Sequence, residues 1–408
     1  MNSQTGSLTL DLPAVARLPW YQRRLLDRFA RLRQGSLRVI LGPGPVFEIQ
    51  GSETGPGAEI LVRRPAALMR RLMWRGDLGF AEAYIAGDWD SDDPAALIEL
   101  FALNIDAFGG SKTRHWLAQA LVGLQHRLHR NSRRGSRRNI SAHYDLGNAF
   151  YAQWLDPSMT YSAAVFGSGA DTLVEAQQRK YQRMLSLLDA RPGERILEIG
   201  CGWGGFAEYA ARRGMRVVGI TLSKEQLEYA QARMVRAGLA DRVELRLCDY
   251  RDLDDTVDHI VSIEMFEAVG QEYWEDYFEK VAGQLRPGGR AALQIITIDE
   301  SRFEQYAAAP GGFIQTYIFP GGMLPTRMHL QRLVDRAGLK IGEMQGFGRD
   351  YADTLERWHA AFRRCTRWLE ENGYDARFRR MWRYYLAFCE GGFRSGQIDV
   401  VQCVLRKS

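Results

Sequence analysis

Cysteine is scarce in this chain of 408 residues: the five present, Cys201, Cys248, Cys365, Cys389 and Cys403, are scattered and odd in number. None has the spacing of a metal-ligand set, so free thiols in a reducing compartment are expected, with no metal. His126 and His129 lie three apart, but in an arginine-rich stretch that repels a cation. No apolar run approaches the ~18 residues that a membrane-spanning helix needs. Met1–Leu10 has neither the positive start nor the apolar core of a secretory signal, so a cytoplasmic protein is expected. Two further absences bear on nucleotides. The glycine-rich turn near residue 200 carries no Lys-Ser or Lys-Thr, which argues against a phosphate-cradling loop. About 20 residues past those glycines, where a dinucleotide fold keeps an acid for the ribose, the chain has Thr221-Leu222-Ser223.

The turn itself organises the chain. Arg195–Gly205 reads Arg-Ile-Leu-Glu-Ile-Gly-Cys-Gly-Trp-Gly-Gly: a short buried strand, a glycine turn, then a helical stretch from Phe206. Such a turn lets the backbone pass close to a ligand at the carboxyl end of a first strand. An acid, Glu198, sits inside the strand. A cofactor with an adenosine but no phosphate, S-adenosylmethionine, fits this pattern best.

The length suggests two or three domains. Trp20–Leu32 is an amphipathic helix whose apolar side suits a core. Strands at Leu37–Ile40, Val46–Gln50 and Glu59–Val62 and helices at Ala66–Arg71, Leu78–Ile85 and Pro94–Asn104 complete a small N-terminal α/β domain, 1–108. A basic linker, 109–138, contains Arg127, Arg130, Arg133, Arg134, Arg137 and Arg138. In a chain of net charge only +5 this cluster is drawn to phosphate, in nucleic acid or anionic lipid. From Arg195 onward strands alternate with helices, the pattern of a parallel sheet covered on both faces, and the domain is set at 139–408. The aromatic insertion 301–325 and the helical pair 354–373 and 376–390 are expected to form a lid.

The ordered motifs Asn139–Asn148, Leu155–Ser162, Glu198–Gly205, Gly219–Gln226, Asp249–Asp252, Phe266–Gly270, Tyr317–Pro325 and Asp350–Leu355 resemble those of the cyclopropane fatty acid synthases and related methyltransferases. The N-terminal domain resembles the extra domain of the longer bacterial members at Tyr84–Trp89. The resemblance implies a Rossmann-like class I methyltransferase fold with a seven-stranded, mostly parallel sheet and helical lid insertions. It also implies methyl transfer from S-adenosylmethionine to the double bond of an unsaturated fatty acyl chain in a phospholipid, through a carbocation. Cofactor contacts carried over are Tyr161, Ser162, Gly200, Gly202, Gly204, Thr221, Leu222, Gln226, Tyr250 and Ile263. Glu198 in the strand and Asp249 after the third strand complete the expected cofactor site.

Closing a cyclopropane ring needs a base in a dry pocket. The resemblance implies a bicarbonate ion held by Glu267, Gln294, Tyr351 and groups near Cys201. Two positions depart from the family: Gln294 and Ala268 stand where it usually shows histidine. A glutamine can donate to an anion but cannot shuttle a proton. Cyclopropanation is kept as the leading outcome because Cys201, Glu267 and Tyr351 all persist, with a methylene- or methyl-branched chain as the alternative. Peripheral contact with the anionic inner face of the membrane is expected, homodimerisation is compatible with the chain, and no nucleic-acid-reading motif is present.

Overall fold

The computed structural model describes residues 15, 17–108, 146–167, 171–308 and 311–407. The arginine cluster and the motif Asn139–Asp145 lie outside the described residues. The chain forms two compact units. One comprises residues 1–124, 311–313 and 362–397; the other comprises 125–310, 314–361 and 398–408.

In the first unit, alternating burial sets the strands β1 (Gln34–Leu41) and β2 (Val46–Gln50), with Leu37, Val39, Phe47 and Ile49 pointing inward. With β3 (Glu53–Val62) and β4 (Trp89–Asp90) they form a sheet of order β2-β1-β3-β4, in which only the β1–β3 pairing is parallel. The helix Trp20–Phe29 buries Leu25, Leu26 and Phe29 and exposes Arg23, Arg24 and Arg28, so its apolar stripe is core. The two helices expected around residues 66–85 are halves of Pro65–Ala86, broken at Gly76, whose φ of 53° and ψ of −128° leave the helical region. Asn104 ties the unit together: its Oδ1 accepts from the Arg33 and Gln34 amides at 2.8 and 2.9 Å, and its Nδ2 donates to the Gln34 and Leu100 carbonyls.

The helix Ala376–Arg394 belongs to this unit, a departure from a contiguous domain over 139–408. The reason is close backbone packing. A Cβ at Gly391 would stand 2.8 Å from the Ala95 carbonyl and the Glu99 amide, so only glycine admits the neighbouring helix Pro94–Leu103 so near. Arg380 adds a lock: it donates to the Tyr84 and Trp89 carbonyls at 2.6 and 3.0 Å, pairs with Asp90 at 3.0 Å, and stacks over the Tyr84 ring.

The second unit holds a seven-stranded sheet of order β10-β11-β9-β8-β5-β6-β7. Its strands are β5 (Arg195–Ile199), β6 (Arg216–Thr221), β7 (Val243–Leu247), β8 (Val257–Ile263), β9 (Leu285–Ile298), β10 (Leu339–Gly346) and β11 (Ile398–Lys407). All neighbours from β9 to β7 pair in parallel, and β11 is antiparallel to both β9 and β10. Burial is nearly continuous along β5, as expected for a strand covered on both faces. Leu197 and Ile199 pack with Trp274, Tyr277, Phe278, Leu330 and Val334, whereas Ile196 packs on the other face with Tyr181, Met184, Phe206 and Met234. Local signals start the covering helices: Thr172 and Glu175 make a capping box, and Ser223 and Thr326 cap the helices Lys224–Arg236 and Arg327–Arg336.

Strand order reverses at β5, which lies between β6 and β8, so the crevice of this sheet opens beyond the carboxyl ends of β5 and β8. Arg380→Ala removes a donor from the Tyr84 and Trp89 carbonyls and the nearer of two arginines beside Asp90, where Arg63 remains at 3.5 Å. It is expected to lower stability by about 2–3 kcal/mol, read as a fall in the denaturant midpoint.

Candidate active site

The glycine turn follows β5 directly. The Gly200 and Cys201 amides donate to the Ile220 carbonyl at 3.0 and 2.9 Å, binding the turn to the end of β6. Gly200 has φ +85° and a Cβ there would sit 3.0 Å from the Met265 side chain; Gly202 has φ +50° and its missing Cβ faces open space. A side chain is excluded at the first and a ligand can approach the backbone at the second. Gly204 caps the helix Gly205–Ala211. Trp203 is braced by Asn148, its Nε1 donating to Oδ1 at 2.6 Å, and Arg233 reaches the Ser158 carbonyl at 2.7 Å. Cys201 is buried, and burial next to Glu198 pushes its thiol well up, so it stays neutral and is a poor nucleophile.

Around this turn stand the residues expected for the cofactor. Thr221 and Gln226 are buried and interlocked, the threonine hydroxyl donating to the amide oxygen at 2.9 Å, with Leu222 half-buried between them in sequence. Tyr161 packs on Tyr151, Trp154 and Trp358. Ser162 accepts from Lys180 Nζ at 2.6 Å. Ile263 ends β8 opposite Gln294. Tyr250 is buried with its hydroxyl unpartnered. Asp249 is committed otherwise: both its carboxylate oxygens are taken by Arg251, at 2.8 and 2.6 Å. Glu198 is buried with one oxygen unpartnered, and burial holds its carboxyl well above the usual range against the pull of Arg233 and Lys180. An open glycine backbone, an orphaned acceptor in β5 and a polar pair ending β6 fit S-adenosylmethionine.

A second cluster stands beyond β8, one strand from the turn. Glu264 occupies the left-handed region, with φ +52°. Its Oε1 accepts from the Ala163 amide at 2.8 Å and from Gln294 Nε2 at 2.7 Å, and its Oε2 accepts from Tyr351 Oη at 2.7 Å. Burial raises the Glu264 carboxyl, while Lys180, Tyr351, Ala163 and Gln294 pull it back. Gln294 is fully buried, and its amide orientation follows from its partners: Gln402 donates to its Oε1 at 2.8 Å, leaving its NH2 for Glu264 and the Ala163 carbonyl. Glu267 accepts from the Ile296 amide through Oε1, while its enclosed Oε2 has no hydrogen-bond partner. Burial, reinforced by the Glu264 carboxylate, pushes the Glu267 carboxyl up to about 8.

The structure therefore brings Glu267, Gln294 and Tyr351 around a group that sequence reasoning missed. Two of the groups expected to hold a bicarbonate ion already have a carboxylate of the chain as partner. The Tyr351 hydroxyl and the Gln294 amide already serve Glu264, and a further anion would face two carboxyls. Lys180 was missed as well. It is fully buried in the helix Leu173–Leu188, and burial lowers its ammonium to about 7 despite Glu264, Asp156 and Glu198. A signal for it existed: cations in this chain are nearly all arginine, and this lysine falls on the inward face with Ala176, Gln177, Tyr181 and Met184. Among the described residues no group of histidine, cysteine, aspartate and glutamate could hold a metal ion.

A carboxyl raised from the ordinary 4.5 to about 8 binds a proton in the folded state that the unfolded chain has lost. Its contribution to stability is complete below 4.5 and disappears as the pH rises to about 8. Glu267→Gln keeps the acceptor for Ile296 without that titration. The thermal midpoint of the variant is therefore expected to gain on that of the wild type steadily between pH 5 and 8.

The comparisons agree with this geometry. Residues 131–403 match the family model described as mycolic acid cyclopropane synthetase. The chain is 37% identical to the tuberculostearic acid methyltransferase of Mycobacterium tuberculosis, over 99% of its own length and 97% of that protein. It is also 37% identical to the cyclopropane-fatty-acyl-phospholipid synthase of Escherichia coli K12, over 86% of this chain and 88% of the other. The mycolic acid cyclopropane synthase CmaA1, solved with SAH and CTAB, superposes with a TM-score of 0.62 at 33% identity, covering 66% of this chain and 98% of that one. A Rossmann-like sheet, a glycine turn suited to S-adenosylmethionine and these matches lead to one conclusion: the chain belongs to the mycolic acid cyclopropane synthetase family of S-adenosylmethionine-dependent methyltransferases.

Proposed function

We propose that this enzyme adds a methyl group to the double bond of an unsaturated fatty acyl chain carried by a phospholipid, and that the resulting cation is discharged by proton loss to leave a methylene branch. When bound, S-adenosylmethionine supplies a sulfonium methyl whose transfer to one alkene carbon leaves a carbocation on the other. The observation that carries this reading is the pair of carboxyls, Glu264 and Glu267, at the carboxyl end of β8 and one strand from the glycine turn. Negative charge in a site of low dielectric lowers the energy of a cation forming beside it. The neutral, buried Cys201 is no trap for such a cation, and Met265 and Met234, packed on Gly200 and Gly204, carry thioethers.

Gln294 and Ala268 in place of histidines, and similarity along the whole chain to a protein named a methyltransferase, favour the branch. Cys201, Glu267 and Tyr351, together with the similarity to a cyclopropane-fatty-acyl-phospholipid synthase, support ring closure as the second reading. The substrate implies contact with a membrane surface. No helix among the described residues is long and apolar enough to cross one. Trp20 and Trp74, 58% and 67% exposed, and the exposed Arg23, Arg24 and Arg28 suit an anionic interface.

Expression in a host rich in unsaturated phospholipids is expected to produce acyl chains heavier by one CH2, seen by mass spectrometry. Proton NMR of those chains is expected to show methylene vinyl protons; upfield ring protons would move the assignment to a cyclopropane. Chains of unchanged mass, with cofactor uptake confirmed by calorimetry, would sink the proposed reaction. Co-sedimentation with vesicles is expected to rise with anionic lipid content, and no such dependence would remove the membrane contact.

A further inference from the structure

Resting on that reaction, we propose that the proton acceptor is Glu264 itself: its carboxylate stands at the donors that the family resemblance gives to a bicarbonate ion, and the enzyme works without an added anion. The carboxylate bridges Gln294 Nε2 and Tyr351 Oη at 2.7 Å each, with the Ala163 amide at 2.8 Å. These are the groups that would otherwise bind a planar oxyanion. The support behind them is built for that load. Gln402 fixes the Gln294 amide from β11, and the Glu264 amide is anchored on the Gln294 carbonyl at 2.8 Å. Tyr351 lies on a helix that also clamps the chain next to Ala163, since Thr354 and Asp350 accept from the Ala164 and Phe166 amides at 3.1 and 3.0 Å.

The backbone points the same way. A glutamate with φ +52° is strained by about 1 kcal/mol or more, and such strain persists only where surrounding contacts hold it. Here the contacts hold the carboxylate inward. Lys180, which donates to Ser162, offsets part of the burial penalty on that carboxyl.

The step balances without an oxidant or a reductant. A C–H bond of the added methyl breaks, its proton goes to a Glu264 oxygen, and its electron pair forms the third C–C bond of a ring or, once a 1,2-hydride shift has moved the cation to the methyl-bearing carbon, the C=C of a methylene. The proton leaves to solvent between turnovers.

The test uses the full chain, vesicles of dioleoyl phosphatidylglycerol and buffer freed of carbonate. Wild-type turnover is expected to be the same with and without added bicarbonate, and 13C-labelled bicarbonate is expected to show no saturable line broadening. In Glu264→Gly the release of strain at φ +52° offsets part of the loss of three hydrogen bonds; with the fold checked by circular dichroism, calorimetric uptake of S-adenosylmethionine should stay within about threefold of wild type. Turnover of this variant should fall by about 100-fold or more, with partial recovery on adding formate or bicarbonate. If that variant fails to take up cofactor, Glu264→Gln, which keeps the shape and an acceptor for Tyr351, is judged by the same measures. Wild-type turnover that needs bicarbonate, saturable bicarbonate binding, or a folded variant with near wild-type turnover in carbonate-free buffer overturns the assignment while leaving the proposed function standing. A wild type that takes up cofactor but methylates no unsaturated lipid overturns both.

Discussion

An ionised carboxylate moved out of water loses several kcal/mol of solvation unless the protein replaces it. Around Glu264 the replacement is a backbone amide, a side-chain amide, a phenol and, across Ser162, a buried ammonium. Each of these donors is itself held. Gln294 is oriented by Gln402 through a direct pairing of β9 with β11, so the antiparallel strand set between β10 and β9 has a role in the site. Tyr351 is fixed by its helix, whose Asp350 and Thr354 grip the segment bearing Ala163. Removing this carboxylate would leave a group of buried donors pointing at nothing.

That network sits where it does because of strand order. β5 and β8 are adjacent and parallel, and the chain leaves their carboxyl ends in different directions. The glycine turn after β5 offers bare backbone, and Met265, in the loop after β8, closes over Gly200. Cofactor chemistry and cation chemistry are thereby placed side by side, with no thiolate or imidazole between them among the residues described. Glu267 adds a second carboxyl, held near neutrality by burial and by Glu264 rather than by any counterion.

Family membership narrows what this site does without determining its product. The relatives that match along most of the chain carry names for two outcomes of methyl addition, a methyltransferase and a cyclopropane synthase. The choice between them depends on which C–H bond faces the base, and thus on the placement of the acyl chain. The exchange of histidine for Gln294 and Ala268 becomes intelligible once Glu264 is seen on the same donors: a carboxylate that is part of the chain needs an amide to orient it, not a second titrating ring.

Periodicity and glycine spacing were enough to read the alternating strands and helices, the turn at Gly200–Gly204 and the ordered motifs, because these depend on neighbours a few residues away. Glu267, Gln294 and Tyr351 came together only through the family resemblance, not through pattern or spacing. Glu264 was invisible by that route: it lies just outside the motif Phe266–Gly270, and nothing local shows that its side chain turns toward Gln294 and Tyr351, residues 30 and 87 positions away. Lys180 was hidden in the same manner, as one cation in an amphipathic helix until packing buried it. The helix Ala376–Arg394 read as a late insertion in the sheet, yet the backbone approach at Gly391 assigned it to the other unit. Sequence alone determined the elements and the cofactor class, which are encoded in local pattern. Tertiary structure alone decided which carboxylate meets which donor, because hydrogen-bond partners far apart in the chain are chosen by strand order and by what remains unsatisfied when the core closes.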